Sequence, residues 1–185
     1  MILGIVGKTN SGKDTAAKYL FEKYKYPMIV SYTTRPKRAY EDDGVQHWFI
    51  DKSRMAELIA TKDIIAYTKN EETGIEYCAV LDDTFMQKDF IYIINPEGIR
   101  WFKEHGTKNE KMISIYMNCA EDEILKRGEL RGDDVDVLNK RLSSERKEFD
   151  DFYNNKEWDY VVNSEKPLDD VKAQIHKIIE DIQNR

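Results

Sequence analysis

The sequence contains few of the residues that build disulfide or metal frameworks. Its two cysteines, Cys78 and Cys119, lie far apart and form no CxxC pair, and its three histidines lack the spacing of zinc ligands. We therefore expect neither a disulfide scaffold nor a zinc site. Both thiols are predicted to be reduced and partly buried.

Long apolar segments are also missing. No window approaches the roughly 18 consecutive apolar residues of a transmembrane helix. The N-terminal MILGIVG is too short, and too quickly followed by Lys8, to serve as a signal peptide. We therefore expect a cytoplasmic protein that does not bind membranes.

An excess of positive charge is absent as well. The formal net charge is −6 at pH 7, which argues against nucleic acid as a partner, because binding it needs many phosphate contacts from Lys and Arg. A small anionic ligand needs only a local basic cluster. The 185 residues, of which 41% are hydrophobic and 35% charged, predict one folded domain with its own core.

Strand and helix patterns alternate along the chain. Residues 2–6 form an apolar run that ends at Gly7, and residues 13–24 carry apolar side chains at helical spacing. A closing amphipathic helix begins near Pro167, and two charged helices flank a break at 131–134. Further strand-like runs lie near 27–30, 46–50, 77–80, 89–95, 111–117 and 159–163. This alternation predicts an α/β fold with a mostly parallel central sheet and helices on both faces.

A glycine loop joins the first strand to the first helix. Gly7 to Lys13 match the first seven positions of the P-loop pattern G-x-x-x-x-G-K-[ST]. In such a loop the backbone N–H groups and the helix start surround phosphate oxygens, and the lysine reaches the β and γ phosphates. The residues predicted to contact the nucleotide here are Gly7, Asn10, Ser11, Gly12, Lys13, Asp14 and Thr15.

The eighth position of the pattern departs from the usual hydroxyl. Asp14 stands there and Thr15 follows it, so the group that orients magnesium is either a hydroxyl moved by one residue or a carboxylate. We predict Thr15 as the magnesium ligand.

A basic run follows the first helix. The run is Ser31-Tyr32-Thr33-Thr34-Arg35-Pro36-Lys37-Arg38. The spacing of Arg35 and Arg38 allows both guanidinium groups to converge on one phosphate. Ser31 and Tyr77 can add neutral hydrogen bonds to the same phosphate. The alternative is a solvated basic loop. The nearby P-loop favours a phosphate site.

These residues carry a resemblance to the guanylate kinase family. The Ser-x-Thr-Thr-Arg-x-x-Arg run is followed by an acidic turn with Gly44 and an aromatic strand. The resemblance continues through Gly74-Ile75-Glu76-Tyr77, Pro96-Glu97-Gly98, Arg131-Gly132 and Asp159-Tyr160-Val161-Val162-Asn163. It covers nearly the whole chain. It implies a P-loop kinase fold in one domain (1–185), with a core (about 1–30, 89–120 and 155–185), an acceptor-binding insertion (about 31–88) and a helical lid segment (about 121–153).

The resemblance also implies roles for individual residues. Ser31, Arg35, Arg38 and Tyr77 would hold the phosphate of a small-molecule acceptor. His47 replaces the usual tyrosine, can donate a hydrogen bond to that phosphate, and would titrate near neutral pH. A strand residue without a ligand role is the alternative for His47.

The lid segment and the last strand have implied roles toward ATP. Arg131 and Arg141 would close over the triphosphate and, with Lys13, act in catalysis. The alternative for these arginines is a solvated helix face. Asn163 would contact the adenine of ATP, or it is a turn residue. Mg²⁺ is the implied cofactor.

Two positions depart from the family pattern. Ala66 and Asn95 stand where the family has the carboxylates that accept hydrogen bonds from the N–H edge of guanine. We predict an ATP-dependent nucleoside monophosphate kinase that acts on a nucleotide such as GMP or dGMP. Because of Ala66 and Asn95, a kinase for another nucleotide or a sugar phosphate is an alternative, and a non-catalytic binding module is a further one.

Overall fold

The computed structural model describes residues 1–39, 41–71, 73–81, 89–106 and 111–184. Small parts of the expected acceptor-binding insertion and core, including 82–88 and 107–110, lie outside the described residues. The elements of the described ranges are β1 (Ile2–Val6), α1 (Lys13–Tyr24), β2 (Tyr32–Thr33), β3 (Trp48–Phe49), α2 (Lys52–Thr61), β4 (Ile64–Lys69), β5 (Glu76–Val80), β6 (Phe90–Ile93), α3 (Pro96–His105), β7 (Met112–Asn118), α4 (Glu121–Arg131), α5 (Val135–Asn154), β8 (Tyr160–Asn163) and α6 (Leu168–Gln183).

The main sheet is parallel and has helices on both faces. Its strand order is β6-β1-β7-β8, and each pair of neighbouring strands runs in the same direction. Side chains of β1 alternate between two cores: Ile2 and Val6 pack on the side of α3 and α5, while Leu3 and Ile5 pack on the side of α1 and α6. The predicted α/β fold is confirmed.

A second, smaller sheet contains the start of the basic run, in β2, and strands that follow the run. Its order is β3-β2-β5-β4, with β2 and β3 parallel and the other pairs antiparallel. The strand expected over 27–30 is reduced to a single bridge between Met28 and Ile91. Pro27 has no backbone N–H with which to continue the ladder there.

The two charged helices meet at the break that the sequence indicates. Gly132 adopts a left-handed φ of 76° after α4, and the N–H of Asp133 donates to the carbonyl of Gly128 at 2.9 Å. The side chain of Asp134 then accepts hydrogen bonds from the N–H groups of Asp136 and Val137 and so caps α5. Among the helices of the described ranges, none is long and apolar enough to cross a membrane.

Candidate active site

The glycine loop between β1 and α1 requires glycine at both ends. A Cβ atom on Gly7 would lie 2.5 Å from the Ser11 hydroxyl and 2.9 Å from the Met117 carbonyl oxygen, closer than these atoms can approach. Gly12 adopts a left-handed φ of 94° at the start of α1. The two glycines thus permit the tight turn that loops of this kind use to bind phosphate oxygens with backbone N–H groups.

Two side chains inside this loop are suited to an anionic ligand. The Ser11 hydroxyl is buried and has no hydrogen-bond partner in the part of the chain that the structure describes. Lys13 Nζ donates to the carbonyl of Lys8 at 2.6 Å. Burial lowers the pKa of Lys13, against the opposing effects of Glu145 and Asp14. Negative charge placed beside Lys13 would therefore be stabilised strongly.

Lys8 and Thr9 of the loop form hydrogen bonds with side chains of α4 and α5. Lys8 is buried, and its Nζ donates to Glu121 and Asp150, each at 3.0 Å. Burial alone would lower the pKa of Lys8, but the hydrogen bonds to Asp150 and Glu121 outweigh it, and the pKa is raised. Glu145 accepts a hydrogen bond from the backbone N–H of Thr9 at 2.7 Å. A carboxylate of the lid segment thus accepts a hydrogen bond from a backbone N–H group of the phosphate loop.

The contact between the loop and the lid segment extends to Asn10. Its amide nitrogen donates to Asp133 at 3.1 Å, and Arg131 donates both to Asn10 Oδ1 and to Asp133. Sequence reasoning missed these carboxylates, because no local pattern relates them to the loop.

Glu41 organises the basic run. Arg35 donates two hydrogen bonds to its carboxylate, at 2.7 and 2.9 Å, and the backbone N–H of Arg38 donates to it at 2.8 Å. Glu41 is 4% exposed, and its hydrogen bonds to Arg35 lower its pKa to about 2. Sequence reasoning missed Glu41, although an acidic residue six positions after Arg35 is a visible signal.

Ser31, His47 and Tyr77 lie together beside this run. The Ser31 hydroxyl and His47 Nδ1 are 2.8 Å apart, and the His47 and Tyr77 rings meet edge to face with centroids 5.6 Å apart. Burial lowers the pKa of His47, and the charge of Arg35 lowers it further. In the protein without a ligand, both effects favour the neutral imidazole.

Two adjoining cavities bring most of the predicted residues together. The larger, of about 960 Å³, is lined among others by Asn10, Asp14, Arg38, Arg131 and Arg141. The smaller, of about 390 Å³, is lined among others by Gly7, Lys13, Tyr77, Asn95 and Glu145. Ser31 and His47 line both cavities. Residues of the phosphate loop and candidate acceptor residues therefore line the same cavities.

Five predicted residues do not line these two cavities: Ser11 and Gly12 of the phosphate loop, Thr15, Arg35 and Asn163. Arg35 is held by two hydrogen bonds to Glu41, which lines the larger cavity. Thr15 is exposed on α1, whereas its neighbour Asp14 lines the larger cavity. Asn163 is exposed, and its side chain accepts a hydrogen bond from the N–H of Glu165 at 3.0 Å, as a turn residue does.

Comparison with known proteins gives one consistent family. The family model described as guanylate kinase matches residues 2–182. The guanylate kinase of Mycoplasmoides gallisepticum is 28% identical, over 96% of this chain and 92% of that protein. The chloroplastic/mitochondrial guanylate kinase 2 of Oryza sativa subsp. japonica is 28% identical over 97% of this chain but only 64% of its own length.

A solved structure shares the fold. The crystal structure of guanylate kinase from Anaplasma phagocytophilum aligns with a TM-score of 0.68 and 21% identity, over 100% of this chain and 87% of that one.

Proposed function

This chain belongs to the guanylate kinase family, and on that premise we propose that it is an ATP-dependent nucleoside monophosphate kinase. It transfers the γ-phosphoryl group of ATP to the phosphate of a nucleotide such as GMP or dGMP. The observation that carries the proposal is the pair of adjoining cavities, in which Ser31 and His47 face the same space as the phosphate loop. No finding supports the sugar phosphate or binding-module alternatives.

The residues have separate tasks in this proposal. The N–H groups of the loop, Ser11 and Lys13 bind the phosphates of ATP, and Arg131 and Arg141 add positive charge from the lid segment. Ser31, His47 and Tyr77 with Arg38 hold the acceptor phosphate, and Arg35 supports that cluster through Glu41. Phosphoryl transfer needs mainly positioning and charge stabilisation, which these groups supply.

Magnesium fits this donor set only together with the nucleotide. The described ranges contain no cluster of three or more His, Cys, Asp or Glu residues that can hold a metal ion. Kinases commonly bind Mg²⁺ through substrate phosphates and one or two protein groups, and the ion then neutralises the charge on the β and γ oxygens. Asp14, which lines the larger cavity, is better placed for this than Thr15. The cytoplasmic location stays a prediction.

The test is an assay of ADP release with ATP and magnesium across the common ribo- and deoxyribonucleoside monophosphates. We expect turnover with GMP or dGMP, and a loss of at least about 100-fold in kcat for Lys13→Ala, because the lysine stabilises the transferring phosphoryl group. Lys18→Ala, an exposed lysine on the same helix, is the matched control. Binding of ATP without transfer to any nucleoside monophosphate would refute the proposal.

A further inference from the structure

Part of the lining of the smaller cavity consists of residues outside the predicted phosphate-binding set. They include Ala66 and Thr68 of β4, Asn95 and Gly98 at the start of α3, and Glu148 of α5, and the space that they line is called the base end. If the chain is a nucleoside monophosphate kinase, as proposed above, the acceptor phosphate lies near Ser31 and Tyr77. The remainder of the acceptor, its sugar and base, then occupies this end.

Glu148 brings a carboxylate to this end of the cavity. One of its oxygens accepts a hydrogen bond from the backbone N–H of Glu97 at 3.0 Å. Within the described ranges it forms no ion pair, and Arg100, whose charge acts on it, is paired with Glu157 at 2.7 Å. Burial raises the pKa of Glu148, and the charge of Glu97 adds to this effect. A partly buried carboxylate without a cation is stabilised by N–H donors of a ligand.

Asn95 brings a donor to the same end. Its Oδ1 accepts the hydrogen bond of the Gly98 N–H at 3.0 Å and caps α3. A backbone N–H can bond only to the oxygen of the amide, so this contact fixes the orientation of the side chain. The Nδ2 group forms no hydrogen bond with the part of the chain that the structure describes. Asn95 therefore has two N–H donors that are available to a ligand in the cavity that it lines.

The donor and the acceptor lie side by side. Glu148 and Asn95 bind the N–H groups of consecutive residues, Glu97 and Gly98, in the first turn of α3. Ala66 brings no polar group to the wall formed by β4; it is 2% exposed and pairs with Ala79 on β5. Its neighbours Tyr67 and Thr68 also line the cavity, and the Tyr67 hydroxyl donates to Glu76 at 2.6 Å. Glu148 and Asn95 add a carboxylate and an amide to the same lining.

With GMP as the acceptor of the proposed function, we propose that Glu148, together with Asn95, reads the guanine base. Guanine presents an oxygen acceptor, O6, next to two N–H donors, at N1 and the 2-amino group. Glu148 accepts hydrogen bonds from the two donors, and Asn95 donates to O6. Glu148 of α5 thereby accepts the hydrogen bonds of the guanine N–H groups, which Ala66 cannot accept because its side chain has no polar atom.

Two substitutions test this pairing without removing the contacts to α3. Glu148→Gln keeps an oxygen for the Glu97 N–H but turns an amide donor toward the guanine donors. Asn95→Asp keeps the oxygen for the Gly98 N–H and removes the donor to O6. We expect the KM for GMP, and the GMP dissociation constant from calorimetry, to rise at least about tenfold in each variant, with the KM for ATP changed less than about twofold.

The matched control is Asp151→Asn, a carboxylate change on the same helix, at a half-exposed residue paired with Lys147. It should leave the KM for GMP unchanged. Inosine monophosphate, which lacks the 2-amino group, is the second probe. The wild-type protein should prefer GMP to inosine monophosphate, and Glu148→Gln should abolish most of that preference. Thermal unfolding of each variant checks that the fold is intact.

Each result has a defined meaning. A folded Glu148→Gln variant that binds GMP as tightly as the wild type would overturn the inference and leave Glu148 as a contact to α3. Transfer to AMP or a pyrimidine nucleotide without GMP binding would overturn it too, while the kinase proposal stands. GMP binding that depends on Glu148 without any transfer would instead sustain the inference and refute the kinase proposal.

Discussion

At the residue scale, Glu41 determines the geometry of the basic run. Its carboxylate accepts hydrogen bonds from the Arg35 guanidinium and from the Arg38 backbone, although it is almost fully buried. A buried charge pair of this kind is costly to break, because removal of one partner leaves the other unpaired. Glu41 thus stabilises both the loop and the direction of its two arginines.

We predict a pH-dependent loss of stability in Glu41→Gln. The pKa of Glu41 is about 2 in the folded protein, below its ordinary value of 4.5, so the pair stabilises the fold above pH 4.5. That contribution is lost as the pH falls from 4.5 toward 2. Urea unfolding should show the variant to be less stable at pH 7 by about 3 kcal/mol at most, with a smaller difference at pH 3.

The control for this experiment is Glu57→Gln, which removes a carboxylate from an exposed pair with Arg54. Exposed ion pairs contribute little to the free energy of unfolding, so the stability of Glu57→Gln should match that of the wild type at both pH values. A difference between Glu41→Gln and the wild type that stays constant from pH 7 to pH 3 would contradict the assigned role of the charge.

At the scale of elements, α5 faces the phosphate loop with Glu145. The carboxylate accepts the Thr9 N–H at 2.7 Å, and its charge acts on Lys13. Lys8 and Asn10 bind other acidic residues of the lid segment. Carboxylates therefore occupy donors of the loop near the place where a triphosphate would bind, and the Thr9 contact must open if a phosphate takes that N–H.

We predict that Glu145→Ala binds ATP more tightly than the wild type. Removal of the carboxylate frees the Thr9 N–H and removes negative charge beside the phosphates. In the protein without ATP, the hydrogen bond from Thr9 to the Glu145 carboxylate competes with binding of phosphate. Loss of this charge-assisted hydrogen bond corresponds to roughly a tenfold lower dissociation constant for ATP. Calorimetry with ATP and magnesium measures the dissociation constant of ATP for the variant and the wild type.

Asp151→Ala, one and a half turns further along α5, serves as the control for loss of a carboxylate from this helix. It should bind ATP as the wild type does. Weaker ATP binding by Glu145→Ala would show instead that Glu145 is part of the nucleotide site and not a competitor for it.

At the scale of the whole molecule, α5 joins the two sheets. Phe149 and Phe152 belong to a core cluster that also contains Ile65, Ala66 and Ala79 of the second sheet and residues such as Phe90 of the main sheet. The same helix contacts the phosphate loop through Glu145 and Asp150, and it lines the candidate base pocket with Glu148. Packing of α5 therefore sets the distance between the two halves of the site.

We predict that Phe152→Ala lowers the free energy of unfolding by about 3 to 5 kcal/mol, because Phe152 is fully buried where the two sheets meet. Urea unfolding at pH 7 measures the loss. Phe21→Ala, at a half-exposed phenylalanine of α1, should cost less than about 1 kcal/mol. Similar losses in both variants would contradict a special role for the α5 core.

Local features of the fold were predictable because their causes act over a few residues. The first strand, the glycine loop and α1 follow from an apolar run, two glycines and helical spacing within residues 2–24. The break after α4 follows from Gly132 and the Asp134 cap, and α6 follows from its apolar face. The short strand β2 lacked such a pattern, because two residues carry no periodicity.

The sequence by itself determined the family, the α/β fold and the place of the phosphate loop. Only the tertiary structure decided the partners of that loop, since Thr9 and Glu145 are 136 positions apart in the chain. It also decided the orientation of the Asn95 amide, whose oxygen accepts the Gly98 N–H, and brought Glu148 to the N–H of the neighbouring residue Glu97. Hydrogen-bond direction depends on which neighbours the fold brings within about 3 Å, and no local pattern specifies them.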